Sequence, residues 1–227
     1  MKKILITGAN SYIGTSFENY IRKNFSETYA VDTVDMIDGN WREKSFAGYD
    51  SVFHVAGIAH RKETRETAHL YYEVNCDLAI ETADKAKKEG VKQFIFLSSM
   101  SVYGKNTGTI TKETPIIAKS NYGKSKVEAE KGILALQNTE FQVAILRPPM
   151  IYGKECKGNY QALVKLALKF PFFPYVKNQR SMLYIENLCE FVRLILDSGE
   201  SGLFCPQNAE YSLSLIHISE PTRRSYI

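Results

Sequence analysis

Residues 3–14 read KILITGANSYIG: a short apolar run, Ile4-Leu5-Ile6, then Thr7-Gly8-Ala9-Asn10-Ser11-Tyr12-Ile13-Gly14. A glycine turn between a first strand and a first helix is where a doubly wound parallel sheet binds a dinucleotide. Gly8 permits the tight turn. Gly14 lets helix and strand pack closely, and the helix N-terminus turns free N–H groups toward a pyrophosphate. The middle position, where a glycine lets backbone approach the phosphate, holds Ser11. The backbone and side chains of Asn10, Ser11, Tyr12 and Ile13 are the expected cradle.

The remaining chain repeats the strand–helix rhythm. Tyr29-Ala30-Val31 reads as a second strand ending in Asp32, and Ser51 to Val55 as a third. Helices are expected over Ser16–Asn24, over Ala68–Glu89 with Gly90 as its stop, and over Tyr122–Gln137. Gln93–Leu97 and Gln142–Leu146 are further strands. Near-continuous apolar strands alternating with helices predict an α/β fold with a parallel sheet covered on both faces. The sheet is expected to be complete by Leu146. After Arg147-Pro148-Pro149 the texture changes. Helices over Tyr160–Phe170 and Ile185–Leu196, flanking an apolar turn at Phe170–Tyr175, suggest the start of a smaller second region.

Composition narrows the class. The 227 residues are 44% hydrophobic and 24% charged, with a net charge of +4. The basic residues are dispersed, which disfavours nucleic acid as a partner. No apolar run approaches membrane-spanning length, so no membrane is expected. Cys76, Cys156, Cys189 and Cys205 lie at neither metal nor redox spacing, which predicts free thiols, no metal site and a cytoplasmic location.

Asp32, at the expected end of the second strand, can accept hydrogen bonds from adenosine ribose hydroxyls and would repel a 2′-phosphate, which favours NAD over NADP. Asp35 or Asp38 stands where a carboxylate could reach the adenine amino group. Ser98-Ser99-Met100-Ser101 follows a buried strand and so places hydroxyls at the ligand edge of the sheet. Tyr122 and Lys126, four apart, share a helix face. An ammonium beside a phenol, together with a nicotinamide, would lower the phenol toward neutrality and let it take a proton from a sugar hydroxyl.

These motifs resemble the extended short-chain dehydrogenase/reductase family, in its group of NAD-dependent nucleotide-sugar epimerases and dehydratases, over residues 1 to about 212. TGANSYIG matches T-G-x-x-G-x-x-G except at Ser11. His54-Val55-Ala56-Gly57 matches the fourth-strand segment H-x-A-[AG], and Val74-Asn75 a position in the long helix. Ser98 to Gly104 matches S-S-x-x-V-Y-G, Tyr122 and Lys126 the active-site pair, and Arg147 to Gly153 R-P-x-x-x-Y-G. The resemblance implies a Rossmann-like domain over 1–150 and a partial substrate-binding region over 151–212. It implies Ser99 as the catalytic hydroxyl, Tyr122 as acid/base, and Lys126 holding the nicotinamide ribose. Gly8, Gly14, Ala56, Gly57 and Asn75 would border the cofactor, and Arg180 would meet the substrate diphosphate. A homodimer is the assembly to test.

Sugar 4,6-dehydratases of that group carry an acidic pair after the catalytic hydroxyl, where this chain has Met100 and Ser101. That favours a UDP-sugar 4-epimerase working through a keto-sugar intermediate. The alternatives are a nucleotide-sugar dehydrogenase or reductase, or a dinucleotide-binding sensor without catalysis. The last residues, LSLIHISEPTRRSYI from Leu213, fit none of the family pattern and resemble a translated sequencing adapter. Residues 213–227 are therefore expected to be a non-native tail, and the family pattern to be truncated there.

Overall fold

A computed structural model describes residues 1–59, 64, 67–156 and 180–209. The expected helix over 160–170, the turn after it and the 213–227 tail lie outside the described residues.

Six parallel strands form the main sheet in the order β2-β1-β3-β4-β5-β8. They are β1 (Lys2–Thr7), β2 (Tyr29–Val34), β3 (Ser51–His54), β4 (Gln93–Leu97), β5 (Gln142–Leu146) and β8 (Gly202–Phe204). The chain builds outward from β1 to β2, then crosses back to place β3 on β1's other side. That reversal is the switch point, and it opens a crevice at the carboxyl ends of β1 and β3. The HVAG segment follows the third strand in chain order, not a fourth. Residues 35–50 carry one turn of 3₁₀ helix, Asn40–Arg42, where a further strand would be needed.

Alternation along the strands sorts the core into two layers. Ile4, Ile6, Phe53, Ile95, Ala144 and Leu146 face α1 (Tyr12–Asn24) and α5 (Ile185–Ser198). Leu5, Val52, Phe94, Phe96, Val143 and Ile145 face α3 (Leu78–Lys88) and α4 (Asn121–Leu134). Helix α1 begins four residues earlier than the apolar spacing suggests, because Ser11 caps it: its hydroxyl accepts from the Gly14 N–H at 3.1 Å. The expected single helix over 68–89 is instead α2 (Ala68–Tyr72), a π turn over Glu73–Asp77, and α3.

The sheet is not complete by Leu146. Strand β8 pairs with β5 through Ala144–Gly202, Ile145–Leu203 and Leu146–Phe204. Helix α5, which leads into it, buries Leu188, Val192, Ile195 and Leu196 against the sheet. Each such side chain contributes about 1.5–3 kcal/mol. The expected smaller region therefore sends its last helix and strand back into the first layer. A two-stranded ribbon, β6 (Met150–Tyr152) with β7 (Met182–Tyr184), stands apart from the sheet. Asn208 fastens its end by accepting from the Tyr184 N–H at 3.2 Å and donating to the Tyr152 hydroxyl at 3.1 Å.

Candidate active site

A cleft of about 610 Å³ runs over the carboxyl ends of the central strands. Asn10, Ser11, Tyr12 and Ile13 line one end. Ser99, Met100, Ser101, Tyr122 and Lys126 line the middle, and Pro148, Pro149, Met150, Ile151 and Cys156 the other end.

The first end follows from the glycine turn. Gly8 has φ +116°, and a Cβ there would lie 2.7 Å from the Ala56 nitrogen. Only glycine lets β1 leave the sheet so close to the end of β3. The positive φ that a polar residue can support falls on Asn10, at +62°. Ser11 has φ −75°, an ordinary value, so the missing middle glycine was not needed for backbone freedom. Its side chain folds back onto the helix instead of filling the cleft. Tyr12 and Ile13 lie in the first helical turn, where amides have no partner within the helix. These residues fit a dinucleotide diphosphate.

The acidic position needs correction. Asp32 does not end β2; it pairs with Leu5 inside the strand, which runs to Val34. Its carboxylate accepts from the Tyr49 hydroxyl at 2.7 Å. Asp35 is the first residue past the strand. It follows Val34, whose carbonyl accepts from the Gly8 and Ala9 amides at 2.9 and 3.0 Å. Neither aspartate lines the cleft. Asp35 stands at the carboxyl end of β2 beside the turn, as Asp32 was expected to.

Ser98 and Ser99 diverge at the end of β4. Ser98 turns inward and donates to Glu130 at 2.5 Å. Ser99 faces the cleft, caps the 3₁₀ turn Met100–Tyr103 and accepts from the Ser101 N–H at 3.1 Å. Tyr122 lies one residue inside α4, after its cap Ser120. Its ring meets Tyr71 edge-on at 6.3 Å. Burial raises the Tyr122 phenol above its ordinary value, while its hydrogen bond with Ser99 pulls it down. The expected pull toward neutrality is not found in the protein's own groups, because the Lys126 ammonium points elsewhere. It donates to the Leu97 carbonyl at 2.9 Å and lies 4.6 Å from the centre of the Phe96 ring. Burial lowers that ammonium to about 8, against the upward pull of Glu130.

Two expected cofactor residues stand one step behind the cleft wall. Asn75, fully buried in the π turn, accepts from the Ile58 N–H at 2.8 Å and donates to the Ile58 carbonyl at 3.0 Å. It holds the Gly57–Ala59 edge in place, and a Cβ on Gly57 would lie 2.8 Å from its oxygen. Ala56 packs under Gly8. Arg180 is exposed before β7 and does not line the cleft.

The sequence reading missed Glu130. It forms a bidentate, fully buried pair with Arg147, at 2.9 and 2.5 Å. Arg147 also donates to the Tyr103 hydroxyl at 2.8 Å. This network ties α4 to the ends of β4 and β5. Its signal was the spacing Tyr122, Lys126, Glu130: three chemistry-bearing residues, each one turn apart, on one face.

The fold and the glycine turn define a dinucleotide-binding enzyme, with the Ser99, Tyr122 and Lys126 side chains lining its cleft. The chain belongs to the NAD-dependent epimerase/dehydratase family, whose model matches residues 4–204. It is 32% identical over 224 residues to a UDP-glucose 4-epimerase of Vibrio cholerae, covering 88% of this chain and 68% of that protein. It is 30% identical over 215 residues to an N-acetyl-alpha-D-glucosaminyl-diphospho-ditrans,octacis-undecaprenol 4-epimerase of Escherichia coli O157:H7, covering 88% and 64%. Thus the chain spans about two thirds of the length of these relatives. Its fold is that of a UDP-glucuronic acid 4-epimerase of Bacillus cereus in complex with NAD, with a TM-score of 0.77 at 20% identity over 95% of this chain and 80% of the other.

Proposed function

We propose that the protein is a nucleotide-sugar 4-epimerase that oxidises and re-reduces one sugar carbon, with a UDP-sugar as substrate. The observation that carries this reading is the meeting of Ser99, Tyr122 and Lys126 in one cleft with the first turn of α1. The α1 turn holds the diphosphate of NAD, and Asp35 takes the ribose role first expected of Asp32. Lys126 keeps two N–H donors beyond its bond to Leu97, and with them it would hold the nicotinamide ribose. NAD, when bound, supplies a reversible hydride acceptor. Tyr122 takes the proton of the sugar hydroxyl and returns it, while the Ser99 hydroxyl holds the same oxygen. The Pro148–Ile151 strip and Cys156 form the wall for the sugar, and Arg180 is assigned to the substrate diphosphate by resemblance.

Two features favour epimerisation. Met100 and Ser101 offer no acid–base pair for eliminating water, and the two curated relatives described above are 4-epimerases. The test supplies UDP-glucose, UDP-galactose and their N-acetyl forms with NAD and follows interconversion by chromatography. Tyr122→Phe should cut the rate by about 10²-fold or more while NAD titrates as before. A near-normal rate removes Tyr122 from the mechanism. Net accumulation of NADH with a keto sugar would replace epimerase with dehydrogenase.

A further inference from the structure

We propose that Ser101 is a positioning residue: its hydroxyl fixes the Ser99 hydroxyl as a donor toward the Tyr122 oxygen. The inference rests on the reading of Ser99 and Tyr122 as the proton-handling pair.

The geometry is a closed set of bonds around one oxygen. Ser99 Oγ accepts from the Ser101 N–H at 3.1 Å and lies 2.9 Å from Ser101 Oγ. A serine hydroxyl has one proton to give and two lone pairs to receive with. The Ser101 amide fills one lone pair. When Ser101 Oγ donates as well, both are filled, and the Ser99 proton has only outward directions left. Tyr122 lines the same cleft as Ser99 and Ser101, and interaction with the Ser99 hydroxyl acts to lower the Tyr122 phenol against the rise that burial causes. The reverse order, with Ser99 donating to Ser101, would leave the phenol oxygen without this donor. As Tyr122 becomes a phenolate the first order wins, because a hydrogen bond to a charged acceptor is roughly twice as strong as a neutral one. A chain of donors polarised in one sense is strengthened further.

The scaffold holds Ser101 in register with Tyr122. A Cβ on Gly123, the residue after Tyr122, would lie 2.7 Å from the Ser101 carbonyl oxygen, so the start of α4 rests directly on that peptide. Met100 is tied to the other side of the cleft, its N–H donating to the Pro148 carbonyl at 3.1 Å. The 3₁₀ turn therefore cannot drift away from the phenol without breaking its contacts on both sides. The relay runs from Ser101 through Ser99 to Tyr122. In this relay Ser101 acts on the phenol through Ser99.

The test reads Tyr122 ionisation in the NAD-loaded protein. The signal is the tyrosinate absorbance difference between each variant and the same variant carrying Tyr122→Phe. Ser101→Ala should raise the Tyr122 midpoint by about half a pH unit or more. Ser101→Thr, which keeps the hydroxyl, should restore it. In a Ser99→Ala background, Ser101→Ala should add nothing. If Ser101→Ala does not fold, Ser101→Cys, a weaker donor of similar size, should give a smaller rise of the same sign. An unchanged midpoint in Ser101→Ala, or an equal shift with and without Ser99, overturns the inference. A midpoint that ignores Ser99 as well overturns the Ser99–Tyr122 reading beneath it.

Discussion

Asp32 and Asp35 are both aspartates at the edge of the sheet, separated by two residues and by one fact of backbone. Asp32 is inside β2 and engaged with Tyr49, whereas Asp35 is past its end and accepts locally from the Ile37 N–H at 2.9 Å. Asp35→Ala is therefore expected to weaken NAD binding by about tenfold or more, since hydrogen bonds to a charged acceptor are lost. Asp32→Ala should change it by less than about threefold. Isothermal titration of both variants decides between them, and the opposite ranking would return the role to Asp32. His54 makes a second residue-level case. It is wholly buried between the rings of Phe94 and Phe96, and its Nδ1 lies 2.8 Å from the Thr7 hydroxyl. Burial, reinforced by the Lys126 charge, lowers its pKa to about 3 from an ordinary 6.5. The unfolded chain thus takes up a proton between those values that the native state refuses. Stability contributed by the neutral ring is complete above about pH 6.5 and is lost as pH falls from there toward 3. The slope approaches about 1.4 kcal/mol per pH unit. Urea midpoints at pH 7 and pH 5 should differ more for the wild type than for His54→Asn, and equal differences would clear His54 of the effect.

At the scale of elements, α4 carries a buried ion pair that ties it to the end of β5. Glu130 and Arg147 are each about 4% exposed at the side chain, so neither can turn to water if its partner is lost. Glu130→Gln or Arg147→Met alone should cost about 3–5 kcal/mol of unfolding free energy. The double change to Leu and Met should cost less than either single change, because it leaves no uncompensated charge. Chemical denaturation of the three variants checks this, and simple additivity would show that the pair is not coupled. The sequence announced α4, β4 and β5 clearly, because Phe94-Ile95-Phe96 and Val143-Ala144-Ile145 are unbroken apolar runs between helical patterns. It announced the cleft-facing side of α4 only in part. A glutamate in a charged helix reads as solvated, and burial of Glu130 depends on an arginine 17 residues away. The end of β2 was misread for a related reason. As an edge strand it keeps polar residues, Asp32 and Thr33, within its length, so polarity did not mark its end. The π turn at Asn75 left no sequence mark at all.

For the molecule as a whole, the sheet closes late. Strand β8 has three residues, and its middle one, Leu203, is 46% exposed, so nothing in a short stretch of Gly-Leu-Phe distinguished it from a loop. Yet α5 and β8 cover one face and one edge of the nucleotide-binding layer. A chain ending at Tyr152 is expected to lose cooperative unfolding and to expose apolar surface, whereas one ending at Ala209 should melt in a single transition. Calorimetry with a hydrophobic dye distinguishes them, and equal cooperativity in the shorter chain would show that α5 and β8 are accessory. The same connectivity has a consequence for birth on the ribosome. Strand β5 is translated well before the partner that seals its outer edge, and at about 5–20 residues per second the stretch from Leu146 to Phe204 takes roughly 3–12 s to appear. During that interval Ala144, Ile145 and Leu146 present an unpaired backbone edge flanked by apolar side chains to every other nascent chain nearby, the template on which aggregates grow. Slow codons or starvation for charged tRNA between Leu146 and Phe204 should therefore lower soluble yield more than the same delay placed before β1 is finished.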